Sequence, residues 1–247
     1  MGYNLALTAL AEPRHFWFHG FRAYVLPVIR DIVGDRRDLR MIDCGCGTGY
    51  NIKTLLQPNG RAFAFDMSLD ALQRARSSGR PLAQADMERI PFRSATFDLA
   101  ISFDVVQSVS DDTAAVREMA RVLKPGGHLV MNVTALEFLR GDHSDVWGEQ
   151  RRYTRDSGTR LVEGAGLDVV GVAYLFASLV PMMLTVRMVQ RALRLVREPS
   201  GDTELAVPAP PINALLTGLV RAEAAVARRL PMPFGSSLLV VARKPTA

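Results

Sequence analysis

Along the chain, short apolar runs alternate with stretches whose apolar positions recur every three or four residues. "FWFHGFRAYVLPVIRDIV", residues 16–33, has the helical spacing and predicts an N-terminal helix. "LRMIDCG" then reads as a strand, "YNIKTLLQ" as a helix, "RAFAFDM" as the next strand, and "LDALQRARS" as a helix with Ser68 as its N-cap. "PLAQADM" predicts a short strand and "FDLAISFDVV" a buried one. "TAAVREMARVLK" is a helix stopped by Pro125, Gly126 and Gly127, and "GHLVMNV" follows as a strand. Thr154 is placed to cap the helix "RDSGTRLVEGAG", and "LDVVGVAYLF" is the strand after it. This regular alternation implies a doubly wound α/β fold, a parallel sheet with helices on both faces.

The pattern changes near the end. "EPSGDTELAVPAPPIN", residues 198–213, is a Pro-rich polar linker without an apolar period. The helix "ALLTGLVRAEAAVARRL" and the last strand "SSLLVVARK" follow it. Residues 177–235 are far longer than an ordinary helix–strand connection. In "PMMLTVRMVQRALRLVRE", Arg187, Arg191, Arg194 and Arg197 recur at helical spacing among Met182, Met183, Leu184, Val186, Met188 and Val189. That composition suits an interfacial helix, a lid over an apolar ligand, or a packed helix with solvated arginines. The uncharged stretch at residues 169–186 approaches the length of a membrane span, but its alternating start, Gly171 and Pro181 favour a strand running into an apolar helix. The expected organisation is one domain: an N-terminal helical cap at 1–39, a core at 40–176, a helical lid or insertion at 177–235, and a last strand at 236–247.

Composition narrows the class. Of 247 residues, 48% are hydrophobic, enough for one α/β domain with a sizeable core. The net charge of +5 permits an anionic partner or a peripheral membrane contact, and by itself it does not indicate nucleic-acid binding. Cys44 and Cys46 are the only cysteines and cannot build a disulfide framework, so a reduced, cytoplasmic protein is expected. The start lacks a basic n-region and a long apolar core, so no signal peptide is expected.

The informative chemistry lies in "MIDCGCGTGYN", residues 41–51. Cys-x-Cys without further ligands is a weak zinc signal, and no metal is expected. A phosphate P-loop needs Gly-Lys-Ser/Thr, which is absent. The spacing Gly45-x-Gly47-x-Gly49 is one residue short of the dinucleotide fingerprint. Glycines so close let the backbone lie flat against a ligand. Asp43 beside that turn suits a cationic ligand better than a pyrophosphate. Asp66 ends the second strand, where an acid holds ribose hydroxyls in doubly wound sheets, and Asp86 ends the third, placed to meet a base edge.

"MIDCGCGTG", "FAFDMS", "ADMERIPF", "FDLAISFDVVQSV" and "RVLKPGGHLVM" occur in the order and spacing of class I S-adenosylmethionine-dependent methyltransferases. The chain most resembles the small-molecule branch that includes the ubiquinone and menaquinone methyltransferases, over about residues 40–133. The resemblance implies a Rossmann-like, mostly parallel seven-stranded sheet with an antiparallel last strand and a helical lid insertion. It implies S-adenosylmethionine as cofactor and S-adenosylhomocysteine as product. Gly45, Cys46, Gly47 and Gly49 would line the amino-acid end, with Asp43 near the ammonium. Asp66 would hold the ribose, Met67 would pack on the adenine, and Asp86 would receive its amino group with Met87 alongside. Phe103 and Asp104 would line the methionine side. Met67 and Met87 also fit a plain core role, and Cys44 and Cys46 read as small packing residues.

Methyl transfer from a sulfonium chiefly needs positioning and exclusion of water, with a base only where the acceptor must lose a proton. Two regions could shape the acceptor site. The first, "EPRHFWFHGFR" at 12–22, offers His15, Phe16, Trp17 and His19. The second, "GDHSDVWGEQRRYTRDSG" at 141–158, offers His143, Trp147, Arg152 and Tyr153, and Gln107 joins them from the fourth-strand loop. His143, His19 and Tyr153 are the candidates for catalysis, His143 because imidazole titrates near neutrality. The same residues also fit plainer roles, as an aromatic face on the core or as arginines pairing at a helix start. The expected activity is methyl transfer to a small hydrophobic acceptor of isoprenoid, quinone-like, lipid or polyketide type. A nucleic-acid or protein methyltransferase is the alternative, although the fourth strand ends "SFDVVQSV", not in an Asn-Pro-Pro-Tyr-type signature, and no nucleic-acid partner is expected. A cofactor-binding protein with a non-transfer role is the third reading.

Overall fold

The computed structural model describes residues 5–193 and 205–246, except the side chains of Asp142, His143, Gln190, Arg191 and Leu193. The strands are β1 (Leu39–Cys44), β2 (Gly60–Asp66), β3 (Leu82–Gln84), β4 (Phe97–Phe103), β5 (Leu123–Thr134), β6 (Asp168–Leu175) and β7 (Ser237–Arg243). They form a seven-stranded sheet in the order β3-β2-β1-β4-β5-β7-β6. All pairs are parallel except those of β7, which runs antiparallel between β5 and β6, with Val241 opposite Val130 and Val240 opposite Val172. The strand order reverses between β1 and β4, and ligands bind beyond the carboxyl ends of strands at such a point.

Alternation along the strands feeds two cores. Met41, Leu99 and Ile101 pack on one face, while Ile42, Ala100 and Met131 pack on the other. The first core is covered by α2 (Phe16–Val33) through Phe21, Val25 and Ile29. The second is covered by α4 (Asp112–Val122) and α6 (Arg155–Glu163), through Val116, Met119 and Val162. Caps expected from the sequence form. Ser68 accepts from the Ala71 amide at the start of α3 (Leu69–Ala75), and Thr154 builds a capping box with Ser157.

Two local elements differ from the expected pattern. Residues 5–11 form a short helix, α1 (Leu5–Ala11), which buries Leu5, Thr8 and Ala11. Seven residues are too few for intrinsic helix stability, so packing holds them. Residues 52–56 wind as a π-helical turn, not as a regular helix. The stretch at 169–186 is β6, a 3₁₀ turn at Ala177–Leu179, and the start of α7 (Val180–Leu193). This is the strand running into a helix that the sequence favoured, and among the described residues no helix is long and apolar enough to cross a membrane.

Among its described residues, the long excursion contributes two helices with different neighbours. A last helix, α8 (Pro210–Ala227), packs along α2, with Asn213 Oδ1 accepting from the Phe16 amide at 2.9 Å. Glu223 of α8 is buried and accepts from Tyr24 Oη at 2.6 Å and from the amides of Ala177 and Ser178 at 2.7 and 2.8 Å. One carboxylate therefore ties α2 and α8 to the turn that launches α7. Arg187 of α7 is buried, with Nε donating to the Leu139 carbonyl, so it does not belong to a solvated basic face. Arg194 and Arg197, like the side chain of Arg191, lie outside the described residues.

Candidate active site

A cavity of about 1000 Å³ opens at the carboxyl ends of the strands. One end is the glycine loop. Gly45, Gly47 and Gly49 all take positive φ, which glycine adopts at no steric cost. Their tasks differ. A Cβ on Gly45 would meet Val105 at 2.6 Å and one on Gly49 would meet Ala75 at 2.9 Å, while one on Gly47 would meet nothing within 4 Å. The outer two glycines let the loop pack, and the middle one keeps it bare. The amides of Gly45 and Cys46 both donate to the Phe65 carbonyl at 3.0 Å, and Gly47 N donates to Asp66 Oδ2 at 2.9 Å. Asp66 Oδ1 accepts from Ser68 N, so the carboxylate is locked between two loops, with lone pairs left on both oxygens.

Negative charge gathers at this end. Asp43 is 1% exposed and its Oδ2 is buried without a hydrogen-bond partner. Burial, then the carboxylates of Asp66 and Glu12, push its pKa up to about 8. Glu12, in the turn between α1 and α2, lines the same end and accepts from Thr48 Oγ1 at 2.5 Å. Burial raises its pKa to about 7 against the lowering influence of Thr48 and Arg22. Burying carboxylates together is unfavourable unless a cation joins them. Cys44 and Cys46 are free thiols whose pKa burial pushes up, as suits packing residues and not nucleophiles.

The other expected cofactor residues follow the strand ends around the cavity. Asp86 and Met87 line it after β3, Met87 buried and Asp86 exposed with Oδ1 accepting from Glu88 N. Met67 sits at the rim and is 71% exposed, so the protein alone gives it no packing partner that would make it core. Phe103 is buried edge-on against Phe21 at 4.9 Å between centroids. Asp104 has φ 58, unusual for a residue other than glycine. Asn132 pins it, with its carbonyl accepting from Asp104 N and its Nδ2 donating to Asp104 Oδ1 at 2.7 Å. The carboxylate is ringed by protein yet open to the cavity. Enclosure raises its pKa to about 7, despite the Asn132 bond.

The far half of the cavity is walled by α2 and α7. Trp17 stacks on Phe176 at 4.0 Å, and Met182, Met183 and Val186 face it from α7. His15, Phe16, Gln107, Trp147 and Arg152 also line the cavity, as the sequence suggested. His15 caps α2 by accepting from Trp17 N. Arg152 and Glu149 form an ion pair at 2.9 Å with both side chains 3% exposed, and Arg152 further donates to the Ala135 carbonyl and to Ser144 Oγ.

Two candidates for catalysis lie outside the cavity lining. Tyr153 is buried outside the cavity lining, and its hydroxyl donates to Asp112 Oδ2 at 2.8 Å. Its place follows from strand-like pairing with Ala135, which turns the ring toward α4. His19 also lies outside the lining and meets Arg22 Nη2 through Nδ1 at 3.2 Å. Burial and Arg22 lower its pKa, so it acts as a neutral acceptor that steadies the arginine. The side chain of His143, on α5 (Asp142–Val146), lies outside the described residues. Residues that sequence reasoning missed are Glu12, Arg22, Thr48 and Tyr50 at the loop end, and Glu149 and Arg187 at the far end. Glu12 and Arg22 begin and end the aromatic-rich segment at 12–22, and their opposite charges beside its aromatic residues were the available signal.

The residues fit S-adenosylmethionine on the structure's own terms. An unpartnered buried Asp43 oxygen and two further carboxylates await positive charge, beside a glycine whose missing Cβ leaves the loop bare. A sequence profile of the methyltransferase domain family matches residues 42–131. The chain is 29% identical over 201 residues to an uncharacterised 37.1 kDa protein of transposon Tn4556 from Streptomyces fradiae, covering 76% of this chain and 58% of that protein. It is 33% identical over 110 residues to a malonyl-[acyl-carrier protein] O-methyltransferase of Serratia marcescens, over 44% and 43% of the two chains. It is also 33% identical over 125 residues to a Bos taurus protein named "Probable tRNA methyltransferase 9B", over 49% and 27%. The alignments span less than two thirds of each of these relatives. Among solved structures, an S-adenosylmethionine-dependent methyltransferase from Mesorhizobium loti superposes with TM-score 0.57 at 20% identity, over 88% of this chain and 96% of that one. The [4+2]-cyclase SpnF superposes with TM-score 0.58 at 20% identity, over 91% and 82%. Residues 42–131 thus match the methyltransferase domain family, within a fold shared with solved S-adenosylmethionine-dependent methyltransferases.

Proposed function

We propose that this protein methylates a small acceptor with an apolar body, held between α2 and α7. One observation carries the reading: a single cavity runs from the glycine loop, past Asp104, to Trp17, Met182, Met183 and Val186. Its volume of about 1000 Å³ lies at the top of the usual range for small-ligand pockets, roughly 300–1,000 Å³, which leaves room for two molecules. In this reading residues 40–176 bind the cofactor, while the cap at 1–39 and part of the excursion at 177–235 wall the acceptor.

When bound, S-adenosylmethionine supplies a methyl group activated by a sulfonium. The glycine loop and Asp43 would hold its amino-acid end, Asp66 its ribose and Asp86 its adenine. The chain's remaining task is to place the acceptor and keep water out, which the aromatic and methionine walls do. Asp104 opens to this cavity, and the protein around it raises its carboxyl toward neutrality, so it can take a proton from a protic acceptor placed beside it. A lipid-borne acceptor would approach over α7, where Met188 and Val189 are exposed.

The test is product mass after incubation with S-adenosylmethionine and a panel of isoprenoid, quinone-like and polyketide acceptors, beside total RNA. A gain of one methyl on an apolar acceptor, reduced in Met183→Asp, is the expected result. Methylation of RNA alone would move the protein to the class suggested by the tRNA methyltransferase relative. Conversion of an acceptor without gain of mass would favour a role like that of the cyclase neighbour.

A further inference from the structure

We infer that the N-terminal cap completes a subsite for a zwitterionic amino-acid group, in which Glu12 takes the ammonium and Arg22 the carboxylate. This rests on the cofactor reading above and adds two residues to it. Both side chains line the cavity at the glycine-loop end. Glu12 is buried, and Thr48 of the loop donates to its Oε2, while Oε1 has no hydrogen bond among the described residues. Arg22 is held from three sides. Its Nη1 donates to the Glu12 carbonyl at 3.1 Å, its Nη2 meets His19 Nδ1, and its guanidinium lies 5.0 Å over the Tyr50 ring. A guanidinium has five N–H donors, and these contacts use two, so donors remain for a carboxylate.

The charges at this end match such a ligand. Among the described lining residues at this end, Glu12 and Asp66 face one arginine, Arg22, while Asp43 lies buried within electrostatic reach of both acids. Asp43 Oδ2, buried and unpartnered, points independently to a missing cation. A ligand with an ammonium and a carboxylate complements Glu12 and Arg22, while Asp66 keeps its oxygens for the ribose. A plain nucleoside would leave Glu12 and Arg22 without a ligand partner. Arg22 also reaches back to the Glu12 carbonyl across the α1–α2 turn, so occupancy of the subsite would fasten the cap over the cofactor.

Calorimetry on the full chain separates the outcomes. The ligands are S-adenosylhomocysteine, which carries the amino-acid zwitterion, and 5′-methylthioadenosine, which has the same adenosine and sulfur without it. Glu12→Gln and Arg22→Gln should each weaken S-adenosylhomocysteine at least tenfold and leave methylthioadenosine within twofold. Glu12→Asp should recover part of the loss. Unchanged S-adenosylhomocysteine affinity in both variants would overturn the subsite while the cofactor reading stands. Equal loss of both ligands, in Glu12→Gln and in the milder Glu12→Asp alike, would overturn it in favour of a purely structural role. A wild-type protein that binds neither ligand would overturn the cofactor reading and the subsite with it.

Discussion

Replacing Asp43 by Asn should exchange cofactor affinity for stability. Asp43 is buried, its Oδ2 has no partner, and its pKa rises from 3.8 to about 8. The folded protein therefore holds a proton that the unfolded chain releases. Stability falls as pH rises between those two values and is unaffected below about 4. At pH 7 the displacement is about three units, and at ~1.4 kcal/mol per unit the upper bound is ~4 kcal/mol. Water entering the cavity screens part of this and leaves on the order of 2 kcal/mol. Asn has nearly the same shape and does not titrate. At ~2–4 °C per kcal/mol for a chain of this size, the variant without ligand should melt about 5 °C above wild type at pH 7, with little difference at pH 4. Glu12, raised from 4.5 to about 7, should leave a shallower slope in the variant. Removing one carboxyl group from the acidic end should also weaken S-adenosylhomocysteine at least tenfold. Thermal melts from pH 4 to 9, with and without S-adenosylhomocysteine, measure both effects. A variant that melts at or below wild type at pH 7, or with an offset independent of pH, would refute the electrostatic reasoning.

Further outcomes follow from single contacts. Gly49→Ala places a Cβ 2.9 Å from the Ala75 backbone at φ +79 and should cost about 2–3 kcal/mol in urea unfolding. Gly47→Ala meets no atom and should cost only about 1 kcal/mol while weakening cofactor binding in calorimetry. Tyr153→Phe loses its bond to Asp112 and should destabilise by about 1.5 kcal/mol with turnover unchanged, whereas a collapse of turnover would restore Tyr153 to the chemistry. Arg152→Met strands buried Glu149 and should cost roughly 3–5 kcal/mol, much of it recovered in the double variant with Glu149→Leu. Equal destabilisation by the single and double variants would show that packing, and not charge, is responsible.

Local patterns carried far. The helix at 16–33, the caps at Ser68 and Thr154, the run of strands and the bare glycine loop all follow from neighbours a few residues apart, because periodicity and capping are short-range. The motifs at 41–51, 66 and 86 were equally legible, since each lies at a strand end that doubly wound topology brings to one edge. Helix α1 was not, because it stands only on what it buries.

Side-chain direction was a tertiary matter. Tyr153 and Arg152 are adjacent in sequence, yet extended backbone sends neighbours to opposite faces, so Arg152 reaches the cavity and Tyr153 the core. Arg187 belongs to a run of basic residues, but packing against Gly141 and the Leu139 carbonyl turns it inward. Glu12 and Arg22 acquire a site only where the cap folds over the loop, 36 residues away at Thr48. The sequence by itself determined most of the elements, the fold class and the strand-end motifs, all of which rest on local periodicity and spacing. The tertiary structure alone decided which charges share the cavity and which are buried elsewhere. Contacts between residues far apart in the chain, and the cost of burying charge, set that choice, and no local pattern encodes it.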